Sequence, residues 1–108
     1  MPGSPTSALL RPGDRIADRY VVERAIGHGG MGIVVAAKHL GLGRTFAIKL
    51  LDPRYAGSAD ANSRFLREAR AAAQLRGEHV VQVTDMGETV LPDRTKAPFL
   101  VMELLDGE

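Results

Sequence analysis

Ile26-Gly27-His28-Gly29-Gly30-Met31-Gly32-Ile33-Val34-Val35 decides how the chain is read, because its glycines stand between two runs of strand-forming residues. Tyr20-Val21-Val22 and Ala25-Ile26 lead in, and the β-branched Ile33-Val34-Val35 leads out, so the pattern predicts two strands joined by a glycine tip. Gly27, Gly29 and Gly32 fit the spacing G-x-G-x-x-G, which plain turns and unrelated nucleotide-binding architectures share. In a dinucleotide-binding fold the third glycine opens a helix, whereas Gly32 opens a run whose branched β-carbons favour a strand. A P-loop is disfavoured as well, since no Gly-Lys-Ser/Thr follows at the required offset. Two readings stay open on the loop alone. It is a flap whose bare backbone N–H groups can approach phosphates, or it is a glycine-rich hairpin turn.

Working outward, Leu40 to Arg44 supplies a second turn, and Thr45 to Leu51 reads as a third strand ended by Asp52-Pro53. Its alternation sets Phe46, Ile48 and Leu50 on one face and Ala47, Lys49 and Leu51 on the other. A lysine among apolar neighbours either carries its head out to water or meets an anion in a cleft. From Ser63 the period becomes helical, with Phe65, Ala69, Ala72 and Leu75 about a turn apart, Ser63 or Asn62 as cap and Gly77 as stop. Glu68 falls within this apolar stripe, where a lone carboxylate is costly. Either Lys49 is its partner, or it sits at the stripe's edge in water. Val80 to Val83 and Phe99 to Met102 read as two more strands, separated by the turn-like Leu91 to Pro98. The expected fold class is therefore α+β, a five-stranded antiparallel sheet with one packed helix.

Composition bounds the function. At 108 residues and 11.6 kDa, with 44% hydrophobic and 25% charged residues, the chain has the usage of an ordinary globular domain and the length of one at most. Its net charge of +1 creates no broad field for nucleic acid or an anionic membrane. The absence of cysteine excludes disulfides and thiolate chemistry from this stretch, and His28, His39 and His79 lack metal-ligand spacing. Met1 to Pro12 has no signal-peptide pattern, and no apolar run approaches the roughly 18 residues that span a bilayer. Residues 1–18, rich in Pro, Gly and Ser, are expected to be a flexible leader to a domain at 19–108, in a cytoplasmic setting.

Four motifs in order make the chain resemble the amino-terminal, ATP-binding lobe of a bacterial-type serine/threonine protein kinase. Ile26 to Val34 resembles the glycine-rich loop, and Phe46-Ala47-Ile48-Lys49 resembles the Val-Ala-Ile-Lys strand with Phe for Val. Phe65-Leu66-Arg67-Glu68-Ala69 resembles the segment carrying the helix glutamate, and Phe99 to Leu104 resembles the last strand and hinge. The resemblance implies that Lys49 holds the α- and β-phosphates of ATP and that Glu68 pairs with Lys49 when the helix is swung in. It implies that Ile26, Val34, Ala47, Val81 and Met102 line the adenine slot, with backbone groups of Glu103 and Leu105 on the adenine edge. Gly27, His28, Gly29, Gly30, Met31, Gly32 and Ile33 would form the cover over the phosphates. Arg67 and Arg70 are read as solvated helix charges.

The same resemblance puts Glu108 just past the hinge. The catalytic loop, the Mg2+ ligands and the activation segment would belong to a larger lobe outside this stretch, and the partners implied are ATP and a protein bearing Ser or Thr. The stretch alone is expected to be inactive, with ATP binding millimolar or weaker. The alternative expectation is a free-standing kinase-like nucleotide-binding or scaffold module without catalysis.

Overall fold

The runs flanking the glycines pair with each other, and the rest of the sheet grows from that hairpin. In a computed structural model, which describes residues 10–29, 32–55, 57–74, 83–91 and 94–104, the strands are β1 (Arg15–Ile16), β2 (Tyr20–Gly29), β3 (Gly32–His39), β4 (Thr45–Leu51), β5 (Val83–Val90) and β6 (Lys96–Glu103). One helix, α1 (Ala59–Gln74), follows a short 3-10 turn at Pro53–Tyr55. All neighbouring strands are antiparallel, in the order β1-β2-β3-β4-β6-β5.

The expected class holds, with six strands rather than five. The additional strand comes from residues read as leader: Arg15 pairs with Val21 and Ile16 with Tyr20, and Leu10 and Ile16 are buried in the core. A two-residue strand is too short to display alternation, and Pro12-Gly13 beside it reads as punctuation. Strand β5 begins at Val83, where the expected strand ended, and runs to Val90. Thr84, Asp85, Gly87 and Glu88 disguise it, because an edge strand with one wet face tolerates polar residues. Gly87 leaves space there for the Phe99 ring, whose Cζ would lie 3.2 Å from an added Cβ. Val80, Val81 and Gln82 lie outside the described residues, as does Gly77. Strand β6 starts at Lys96, inside the stretch read as turn.

Helix α1 starts at Ala59, four residues before the expected Ser63, because Ser58 and not Asn62 or Ser63 is its cap. The Ala61 N–H donates to Ser58 Oγ at 3.1 Å, and the Asn62 N–H closes the first turn on the Ser58 carbonyl at 3.0 Å. Ala61, Phe65 and Ala69 form its buried stripe and pack on Leu51 of β4 and Leu100 of β6. The expected continuation through Ala72 and Leu75 lies outside the described side chains.

Alternation sorts the sheet into two faces. Ile33, Val35 and Ala37, then Phe46, Ile48 and Leu50, then Phe99 and Val101 turn inward with Ile16, Tyr20 and Val22 to make the main core. Full burial of each such large side chain contributes about 1.5–3 kcal/mol. The sheet curls around this core until its outer strands meet. The Ala17 N–H donates to Thr89 Oγ1 at 2.9 Å, Arg19 pairs with Asp85 at 3.4 Å, and the Tyr20 hydroxyl donates to the same carboxylate at 3.4 Å. Lys49, Leu51, Leu100 and Met102 are left on the outer face, under the helix.

Candidate functional site

The outer face of β4 carries the cation because strand alternation puts Lys49 out of the core that holds Ile48 and Leu50. Lys49 is half-buried, in register with Val34 of β3 on one side and Leu100 of β6 on the other. Two residues back, the buried Ala47 sits in register between Ala36 and Met102. Small side chains at Ala36 and Ala47 make this part of the face shallow, between half-buried Val34 and Met102. Ala36 did not figure in the sequence reading, although alternation from Val34 puts it on the same face.

Beyond Met102 a cavity of about 130 Å³ is lined by Lys49, Phe65, Glu68, Ala69, Leu100 and Met102. Sheet and helix thus bring Lys49 and Glu68 to one space. No ion pair within 4.0 Å joins them in this conformation, and Glu68 is exposed while Phe65 and Ala69 beside it are buried. In this conformation Glu68 sits at the wet edge of the stripe. Arg67 and Arg70 are exposed as well, in keeping with solvated helix charges.

The glycine hairpin continues the same face. Gly27 pairs with Val34, His28 with Ile33, and Gly29 with Gly32, while a register shift between Ala25 and Gly27 sets Ile26 apart from the ladder. Ile26 is 43% exposed, an unusual state for isoleucine in the middle of a strand. Ile33 turns the other way. Its side chain is 4% exposed in the main core, on the opposite face from Val34, so only its backbone can belong to the site. Glu103, half-buried, ends β6 in register with Phe46. Gly30, Met31, Val81 and Leu105 lie outside the described residues.

Away from the cleft, two groups among the described residues are shifted from their ordinary values. Burial pushes the Tyr20 hydroxyl up, helped by the charge of Asp85 and a hydrogen bond to it and opposed by Arg19. Arg54 is raised by its hydrogen bonds and charge interaction with Asp52, at 2.9 Å. Among the described residues, no group of three or more His, Asp or Glu is placed to hold a metal, and no helix is long and apolar enough to cross a membrane.

A curled antiparallel sheet, one helix over its outer face, a glycine hairpin and a strand lysine facing a helix glutamate define the small lobe of a protein kinase. The family model described as protein kinase domain matches residues 20–108, and the chain belongs to that family. Among curated proteins it is 37% identical over 98 residues to the serine/threonine-protein kinase PknA of Mycobacterium tuberculosis, covering 91% of this chain and 23% of PknA. It is 41% identical over 92 residues to the probable serine/threonine-protein kinase PknB of Corynebacterium glutamicum, covering 85% of this chain and 14% of that protein. The crystal structure of the Mycobacterium tuberculosis PknI kinase domain superposes with a TM-score of 0.63 at 32% identity, over 90% of this chain and 37% of that one. The chain therefore spans under a quarter of the length of these curated relatives.

Proposed function

We propose that the outer face of the sheet is the ATP-binding half of a serine/threonine kinase site. The observation that carries this reading is Lys49, a half-buried cation set among Val34, Ala47, Leu100 and Met102, beside a shallow alanine floor and next to the glycine hairpin. That donor set fits a nucleotide: a flat ring needs an apolar slot, and a polyphosphate needs a cation and unhindered backbone N–H groups. The adenine lies against Ile26, Val34, Ala36, Ala47, Val81 and Met102, its edge bonded to backbone groups of Glu103 and Leu105. Lys49 holds the α- and β-phosphates under Gly27 to Gly32. Glu68 reaches Lys49 when α1 moves toward the sheet, which makes the open pair seen here a state the helix can leave.

In the whole protein, residues outside this stretch would hold Mg2+, which would supply charge to offset the phosphates, and the acceptor of the γ-phosphate would be Ser or Thr of a protein substrate. The 108 residues alone bind ATP weakly, in the millimolar range or above, and do not transfer phosphate. Titrating ATP into the labelled chain tests the site. Amide shifts at Gly27, Gly32, Val34, Lys49 and Met102 are expected, and shifts confined to residues away from these remove the assignment. Tight binding by calorimetry overturns the expected weakness, and phosphate transferred to casein by this chain alone overturns its expected inactivity.

A further inference from the structure

The glycines of the hairpin do different jobs. A Cβ built on Gly27 meets no described atom within 4 Å. One built on Gly32 falls 2.9 Å from Lys49 Cε and 3.5 Å from Lys49 Cγ, with the Leu50 carbonyl oxygen at 3.2 Å. Carbon atoms at optimal contact lie about 3.5–4.0 Å apart, so the lysine stem occupies the volume that a side chain at this position would take. The backbone of Gly32 does not need a glycine for its conformation, since the positive-φ glycines among the described residues are Gly13 and Gly43. What Gly32 supplies is space.

We infer that Gly32 is a positioning residue for Lys49: its bare α-carbon is the bed on which the lysine stem lies, and this fixes where the ammonium enters the cleft. The geometry separates position from fold. The close neighbour is the far end of a flexible side chain, which can swing aside without moving the strands. The Leu50 carbonyl has to give only a few tenths of an ångström. Gly32→Ala should therefore leave the sheet intact and send the ammonium elsewhere. The functional weight of this displacement rests on the nucleotide-binding role of Lys49, whereas the displacement itself does not.

The chain has three lysines, Lys38, Lys49 and Lys96, so isotope-labelled dimethylation gives a readable lysine spectrum, with Lys49 assigned by its loss in Lys49→Met. In Gly32→Ala the Lys49 signal is expected to shift while those of Lys38 and Lys96 stay in place, and Gly27→Ala should leave Lys49 where it was. An unmoved Lys49 signal in Gly32→Ala, or an equal shift in Gly27→Ala, overturns the inference. Should Gly32→Ala fail to fold, the double variant with Lys49→Ala decides: recovery of the fold upholds the contact, and equal loss refutes it. ATP is then added to the unsubstituted chain. A Lys49 signal that ignores ATP removes the nucleotide reading and leaves the Gly32 result, obtained without ligand, standing.

Discussion

The two faces of one sheet have been treated oppositely by the chain. On the inner face Ile48, Leu50, Phe99 and Val101 are fully buried, and the outer strands are stitched together by Thr89 and Asp85. On the outer face Val34 of β3, Lys49 of β4 and Met102 of β6 stay half-buried, while Leu51 and Leu100 are buried against α1. Residues one position apart in sequence thus divide into those that hold the fold and those that are available to a ligand. A substitution should report which face it touches through the kind of loss it causes.

The largest effect is expected at Phe99→Ala, which empties the centre of the inner face and removes the ring packed on Gly87. Truncating a buried phenylalanine costs about 3–5 kcal/mol, a large part of the stability of a domain this size, so urea denaturation should show a chain largely unfolded without denaturant. Next comes Thr89→Val, which keeps the shape and leaves the Ala17 N–H without its acceptor, at a cost of about 1–3 kcal/mol by the same measurement. A loss as large as that of Phe99→Ala would mean that the seam, and not the apolar interior, dominates the inner face.

Tyr20 gives a pH-dependent version of the same test. Its hydroxyl is raised above the ordinary 10.0 by burial and by Asp85, so the folded chain holds this proton more tightly than the unfolded one. The resulting stability is present below about pH 10 and declines as pH rises through the folded value. Tyr20→Phe should flatten that alkaline decline in thermal melts taken from neutral to high pH, and an unchanged slope would assign the decline to other groups. The smallest stability effect is expected at Lys49→Met, within about 0.5 kcal/mol because methionine keeps an unbranched apolar stem of similar length at this half-buried position. The ATP-induced amide shifts should disappear in the same variant. Stability lost together with binding would break the division between the faces.

How much of this was legible in the sequence depended on side-chain contrast. The glycine hairpin, strand β4 and the assignment of Ile48 and Leu50 against Lys49 to opposite faces followed from alternation, because a charge within an apolar run marks the pleat unambiguously. The same alternation, carried from Val34 to Ile33 and Ala36, would have moved Ile33 to the core and added Ala36 to the cleft. The extension of β5 from Val83 to Val90 was not legible because Asp85 and Glu88 interrupt the apolar pattern, and their acceptability at a sheet edge is a tertiary fact. The Ser58 cap was missed because the helix start was sought at the first apolar residues, whereas Ala59 and Asp60 fill a first turn that faces water. The position of Glu68 relative to Lys49 depends on how α1 docks, and spacing along one helix cannot supply that.

The bond from Ala17 to Thr89 joins residues 72 apart and closes the curl. Its formation requires the hairpin, β4 and both later strands to be in place already, since loop closure over such a span is repaid only by contacts made around it. A contact of that kind belongs to the last stage of assembly. Its loss should register in how fast the molecule opens and hardly at all in how fast it forms. The seam is a latch, and Ala17, the residue that follows the edge strand β1, is half of it.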